Sequence, residues 1–366
     1  MTDYEVRLPS NYDVNAPGGL PVLIYLHGWG GSHRSLPAGF ARHAKGNGYI
    51  VVTPTGYGDG GRNSWNGFRS ASLPGCPVDE NGLPKDGYSP ADCDAGPLSG
   101  VSPPAPSTCV DLDNAGHNYC YDDPETGEPG VCPEWDGTQV HNTWGTEFNG
   151  EYTCYWTTRR DSVGQIVQLL DDIERDYCVD RSMIWVTGCS NGGMFVYELA
   201  KDVRTANRFA GYMPQVGAPH PGFTQFSPVS SVPPAKFFMG FWGTRDNTVP
   251  GRANFLDVFG PDVALDTSFN GWLYMTARSI TSDWAAANSF TEDDDVTPAS
   301  PRAYDANEYS SSLECVSWHR PDEGSEAEIV ECFFDGGHSC PGFGQMPQMM
   351  WDFARRHPNT AVPAAP

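Results

Sequence analysis

Short apolar runs alternating with helical periodicity predict an α/β protein, a mainly parallel sheet with helices on both faces. Four stretches carry this expectation. "PVLIYLHGWGG" (21–31) and "GYIVVTPTGYG" (48–58) are apolar runs that break into glycine-rich loops, as strands buried on both faces do. "DSVGQIVQLLDDIERDYCVD" (161–180) sets Val163, Ile166, Val167, Leu170 and Ile173 at helical spacing ahead of another apolar run. "VTGCSNGGMF" (186–195) passes from apolar strand into a tight bend with a serine at its apex.

The elements follow in order. The runs at 21–31 and 48–58 are strands, and residues 35–46 between them have helical composition. Asp161 is the N-cap candidate of the helix that leads into strand "SMIWVTG". After Ser190 a helix runs through "GGMFVYELAKD", followed by a strand around "FAGYMPQVG" and another at the start of "KFFMGFWGTRDNTVP" (236–250). A helix near "SITSDWAAAN" (279–288), the strand pair "LECVSWHR" and "AEIVECFF", and a last helix "QMPQMMWDFARRH" complete the alternation. Segments 1–69 and 155–366 supply it as one domain of 1–366. Residues 70–153, rich in Pro, Gly, Asp and Cys, read as a disulfide-stapled insertion, a lid or side module. A second irregular insertion is expected at about 251–275.

Composition bounds the function. The formal charge of −24, from 46 acidic and 22 basic residues, argues against nucleic acid and anionic membranes as partners. With so acidic a surface and no sticky helix, a monomer is expected. Eleven cysteines, five of them (Cys76, Cys93, Cys109, Cys120, Cys132) in the insertion, form no zinc-type spacing and point to disulfides in an oxidising compartment. The cysteines make a secreted, extracellular protein the expectation, and because the opening "MTDYEVRLPS" is no basic and apolar leader, its signal peptide is expected to be absent from this sequence. Cys315 and Cys332 lie on consecutive strand candidates at nearly equal offsets from the turn "RPDEGSE" between them, which sets them opposite each other and makes them a disulfide candidate.

Gly188, Ser190 and Gly192 form G-x-S-x-G in a strand-turn-helix context, where the tight turn forces the serine oxygen into the open. A serine hydroxyl needs a base to take its proton, and the base needs an acid to orient it. Asp246 in "GTRDNTVP" and His338 in "FFDGGHSCPG" follow predicted strands in the chain order Ser, Asp, His. The developing oxyanion needs donors, for which the amides of Asn191 and of Trp29 in "HGWGG" are placed; His27 beside them is read as structural.

"LHGWGG", "GYIVVTPTG", "SWN", "DSVGQIVQLLDDI", "VTGCSNGGMFVYELA", "GTRDNTVP" and "GGHSCPG" together resemble the feruloyl esterase and polyhydroxybutyrate depolymerase group within the α/β hydrolases. The resemblance covers the core segments and leaves 70–153 outside. It implies the α/β-hydrolase fold and carboxylic-ester hydrolysis, with Ser190 as nucleophile, His338 as base, Asp246 as orienting acid, and the Trp29 and Asn191 amides as oxyanion hole. Feruloyl (hydroxycinnamoyl) esters are the leading substrate class, and polyesters such as polyhydroxybutyrate or an aromatic polyester are the alternative.

Two positions depart from the pattern. Cys340 stands where relatives often carry a tryptophan two residues after the histidine, and Cys189 stands where an aliphatic residue or methionine often precedes the serine. By analogy with tannase-like fungal feruloyl esterases, which link cysteines beside their serine and histidine, Cys189 and Cys340 become a second disulfide candidate. The alternative is that Cys189 is a small buried thiol.

Trp29, Trp65, Phe195 and Trp242 are candidates for an apolar substrate platform. The ester hydrolysis requires no cofactor. In the insertion, Asp111, Asp113, Gly116 and Asp122 take positions 1, 3, 6 and 12 of a calcium-type loop. Position 5 is Ala115 and position 12 is Asp, so a solvated acidic turn is the default and structural calcium the alternative. A hydrolase-like binding module without turnover, a peptidase and a lipase are further readings; no long apolar lid helix supports the last.

Overall fold

The computed structural model describes residues 3–58, 63–65, 109–110, 121–122, 129–131, 153–154, 162–202, 204–219, 237–251, 265–268, 273–288, 301–318, 329–340 and 344–359. Among them one sheet contains nine strands. These are β1 (Tyr4–Arg7), β2 (Leu20–Leu26), β3 (Ile50–Pro54), β4 (Val179–Cys189), β5 (Gly211–Gln215), β6 (Phe237–Gly243), β7 (Arg302–Tyr304), β8 (Leu313–Trp318) and β9 (Ile329–Phe334). The lateral order is β1-β3-β2-β4-β5-β6-β9-β8-β7. Neighbours from β3 across to β9 run parallel, whereas β1 at one edge and β8 and β7 at the other are antiparallel.

The chain winds outward from β2 to β3, then returns to the opposite side of β2 as β4. A crevice therefore opens beyond the carboxyl ends of β2 and β4, where the winding reverses and open parallel sheets build their sites.

Helices α1 (Ala38–Asn47), α2 (Ser162–Asp176), α3 (Asn191–Lys201), α4 (Ala277–Ala287) and α5 (Met346–Ala354) cover the sheet. Successive strand residues point to opposite faces, and this sorts the core into two layers. Leu23, Tyr25, Trp185, Met213 and Phe241 pack with Phe40 of α1 and with Met349, Met350 and Phe353 of α5. Ile24, Leu26, Val186, Tyr212 and Phe238 pack with Ile166 and Leu170 of α2, Phe195 of α3 and Trp284 of α4. The expected mainly parallel sheet with helices on both faces is thus present. Gly48 ends α1 in the left-handed region at φ 76°, its N–H capping the Ala44 carbonyl. The buried face of α2 includes Val163, Ile166, Leu170 and Ile173, as its spacing predicts; its N-cap candidate Asp161 lies outside the described residues.

The structure adds two edge strands that the sequence reading omits. β1 and β7 have four and three residues, none of them buried, so neither shows an apolar run. Within 251–275 the expected irregular segment contains an antiparallel pair, Leu265–Thr267 with Leu273–Met275. Most of 70–153, including Asp111 and Asp113, lies outside the described residues; of Asp122 only the backbone is described, in a short strand paired with Pro129–Val131. Among the described residues no helix is long and apolar enough to cross a membrane.

Candidate active site

The site begins with the backbone of Ser190. Between β4 and α3 this residue adopts φ 53° and ψ −117°, a conformation that L-residues avoid. The bend holds because every neighbour contributes to it. Ser190 N–H donates to Gln215 O (2.9 Å), and Ser190 O accepts the first helical bond from Met194 N–H (2.8 Å). A methyl group on Gly188 would strike the Gly192 carbonyl, and one on Gly192 would meet the carbonyl oxygens of Leu26 and His27. Both glycines of G-x-S-x-G are therefore required by close backbone approach. Val216, at φ 41°, is the other non-glycine residue with positive φ among those described, and it directly follows the carbonyl that anchors Ser190.

Two loops from neighbouring strands meet the serine. His338, on the loop after β9, has Nε2 2.9 Å from Ser190 Oγ, and its Nδ1 is 2.7 Å from Asp246 Oδ2 on the loop after β6. A carboxylate oxygen only accepts, so Nδ1 carries the proton and Nε2 is left to accept from the serine hydroxyl. The other Asp246 oxygen, Oδ1, accepts from the N–H groups of Thr248 (2.9 Å) and Val249 (3.0 Å), which fixes the carboxylate plane. The Asp246 side chain is fully enclosed, whereas that of His338 keeps 24% exposure, enough for a reactant to approach. Tyr274 lies near this pair; burial, and after it the charge of Asp246, raise its hydroxyl pKa far above the usual value.

The loop after β2 forms the opposite wall. Gly28 approaches the elbow closely enough that a methyl group there would touch Ser190 Cβ at 3.5 Å. The next residue, Trp29, is half-buried. His27 is buried and holds this loop from inside: Nδ1–H donates to Gly28 O (2.7 Å) and Nε2 accepts from Gly56 N–H (2.9 Å). Burial pushes its pKa down to about 4, so the ring stays neutral and keeps both bonds at ordinary pH. Its structural reading agrees with this geometry.

Asn191 is engaged in more than the sequence indicates. Its Oδ1 accepts from Trp65 N–H (2.9 Å) and Ser64 Oγ–H (3.1 Å), and its Nδ2 donates to Trp65 O (3.4 Å). Sequence reasoning assigned a task only to its main-chain amide. The partner residues lie 126 and 127 positions away, and no local pattern reveals such a contact.

Three platform candidates are corrected. Trp65, Phe195 and Trp242 have 0% exposure, so their rings are core. Trp65 stacks on Phe195 at 5.4 Å with 4° between planes, and its Nε1–H donates to His27 O (2.9 Å). A loop position suggested an open ring, but stacking and an indole hydrogen bond enclose it. Trp29 alone of the four retains exposure.

Both cysteine pairs are bridged. Cys189 and Cys340 join the residue before Ser190 to the loop carrying His338, with Cα atoms 5.5 Å apart. Cys315 and Cys332 are facing residues of β8 and β9, with Cα atoms 4.2 Å apart. Among the described residues no group of three or more His, Cys, Asp or Glu side chains is placed to hold a metal ion.

No family model and no curated protein sequence matches the chain. Solved structures similar to it include an acetyl xylan esterase from Aspergillus awamori, at 12% identity and TM-score 0.49, covering 96% of this chain and 93% of that one. An S-formylglutathione hydrolase from Agrobacterium tumefaciens is similar at 12% identity and TM-score 0.40, covering 97% and 89%. A protein titled pOPH is similar at 14% identity and TM-score 0.40, covering 99% and 86%. The chain's own topology is more specific: serine, carboxylate and imidazole follow in that order from β4, which adjoins the point where the sheet reverses, and from β6 and β9 on the same side of it. Chain order and sheet order together make this an α/β-hydrolase fold.

Proposed function

We propose that this protein is a secreted serine hydrolase of carboxylic esters, acting through an acyl-enzyme with Ser190 as nucleophile, His338 as general base and Asp246 as orienting acid. The observation that carries the reading is the continuous hydrogen-bond chain Ser190 Oγ to His338 Nε2 and His338 Nδ1 to Asp246 Oδ2, at 2.9 and 2.7 Å. Ser190 Oγ attacks the ester carbonyl carbon while His338 Nε2 takes its proton. The carbonyl oxygen becomes an oxyanion facing the amides of Trp29 and Asn191, the latter at the N-terminus of α3 where main-chain donors lack helical partners. His338 then protonates the leaving alcohol, and the C–O bond breaks to leave the acyl group on Ser190. Water, deprotonated by His338, releases the acid and restores the serine. Side chains, main-chain amides and water suffice for every step.

Hydroxycinnamoyl esters are the substrate class we favour. The motif resemblance supports them, as does half-buried Trp29, the next residue after the Gly28 that approaches Ser190 and the one aromatic platform candidate that keeps exposure. Two disulfides, together with the cysteine count, support an oxidising compartment. The strongly acidic composition supports a soluble monomer with neither nucleic acid nor membrane as partner.

Parallel assays on methyl ferulate and polyhydroxybutyrate film, with Ser190→Ala as blank, test the substrate class. Ferulate release by the wild type alone is the expected result. Hydroxybutyrate release without ferulate release would replace the substrate reading by a polyester one, and neither product would overturn both.

A further inference from the structure

The two amides assigned to the oxyanion belong to separate segments. Trp29 lies on the loop beyond β2 and Asn191 opens α3. The parallel ladder between β2 and β4 ends at Leu26 opposite Gly188, so strand pairing does not extend to either amide. Something else must set their separation, because a donor serves a transition state only if it is held in place before charge develops.

Asn63, Ser64 and Trp65 hydrogen bond in both directions. Toward the loop, Gly30 N–H donates to Asn63 O (2.7 Å), Asn63 Nδ2 donates to Gly31 O (2.8 Å), and Trp65 Nε1–H donates to His27 O (2.9 Å). These bonds flank Trp29 on both sides. Toward the elbow, Ser64 Oγ–H and Trp65 N–H fill both lone pairs of Asn191 Oδ1, at 3.1 and 2.9 Å. A main-chain N–H can only donate, so the amide oxygen of Asn191 must face Trp65. Ser64, Trp65 and Asn191 have 1%, 0% and 0% exposure, so water does not compete for these bonds. Trp65 also stacks on Phe195, one turn into the helix that Asn191 opens.

We propose that Asn63, Ser64 and Trp65 are positioning residues that clamp the oxyanion loop to the nucleophile turn and so fix the distance between the Trp29 and Asn191 amides. The proposal rests on the serine-hydrolase reading above. The clamp touches no reacting atom. It acts through the donors, so its removal weakens transition-state binding more than substrate binding.

Three variants test it: Ser64→Ala, which deletes one bond to Asn191; Trp65→Phe, which deletes the bond to His27 O and keeps a ring against Phe195; and Asn191→Ala. Each is assayed for kcat and KM on p-nitrophenyl acetate. Binding is measured for a trifluoromethyl ketone, which forms a tetrahedral adduct with an oxyanion, and for the matching unreactive amide. The expected result is a fall in kcat of about 10-fold or more with KM within about 2-fold, short of the 10²–10³ that follows loss of a whole donor. Affinity for the ketone should fall by the same factor while the amide binds as before. Unchanged kcat and ketone affinity in both Ser64→Ala and Trp65→Phe would overturn the clamp, as would equal losses for ketone and amide. If Asn191→Ala does not fold, the other two variants decide the matter. An inactive wild type would overturn the hydrolase reading and the clamp with it, whereas an active wild type with unaltered variants overturns the clamp alone.

Discussion

At Ser190 the backbone stands at φ 53°, a conformation costing on the order of 1–3 kcal/mol that persists only because its surroundings over-determine it. The cost has a function: the turn lifts Oγ clear of the sheet and leaves the first amide of α3 beside it. His338 reaches that oxygen with one nitrogen only because Asp246 occupies the other. Asp246→Asn would present an amide that can donate to Nδ1 and hold the ring in the wrong tautomer. We therefore expect kcat to fall by about 10³- to 10⁴-fold with KM nearly unchanged, read from steady-state kinetics on a soluble ester. An equal rise in KM would instead indicate a role in binding. The three residues of this hydrogen-bonded chain were legible in the sequence because each sits in a glycine-containing segment after an apolar run. The platform residues were not: whether an indole on a loop is open or enclosed depends on partners distant in sequence, such as His27 O for Trp65 and the ring of Phe195 beneath it.

At the scale of elements, the long apolar strands β2, β3 and β4 and the periodic helix α2 were legible because burial on one or both faces writes itself into the residue pattern. The Cys315–Cys332 pairing followed from hairpin register, since residues at equal offsets from a turn face each other. Edge strands β1 and β7 escaped because neither buries a face that would demand apolar residues. Helix α4 carries a polar feature with a measurable consequence. Arg278 and Thr281 hydrogen bond to the buried Glu331 of β9 and so tie the helix to the sheet. Asp283 on the same helix is half-buried, and loss of hydration raises its pKa to about 6. The folded state then binds more protons than the unfolded chain between about pH 4 and 6, so the ionised group opposes folding above that window. Asp283→Asn is expected to raise stability by about 1–2 kcal/mol at pH 7–8, a partial share of the full shift because some water contact remains, and to give no gain below pH 4. Urea titrations at the two pH values measure this; equal effects at both would contradict the assignment.

For the molecule as a whole, the reversal of winding beside β2 brings together segments that lie far apart in the chain. Ser190 and His338 are separated by 148 residues, and the Cys189–Cys340 bridge ties the same two loops covalently. The alternation of strands and helices made the sheet legible, but the lateral order of strands depends on crossovers that no local pattern encodes. The two-way bonding of Asn63, Ser64 and Trp65 was hidden for the same reason. The central claim is that this arrangement makes Ser190 a nucleophile toward acyl carbon. Its most direct test is to treat the oxidised protein with a p-nitrophenyl alkylphosphonate and locate the adduct by intact mass and peptide mapping. One equivalent on Ser190, with hydrolytic activity lost in proportion and no labelling of Ser190→Ala, is the predicted result. An unmodified Ser190 in a preparation that still hydrolyses esters, or an adduct on another residue, would contradict it.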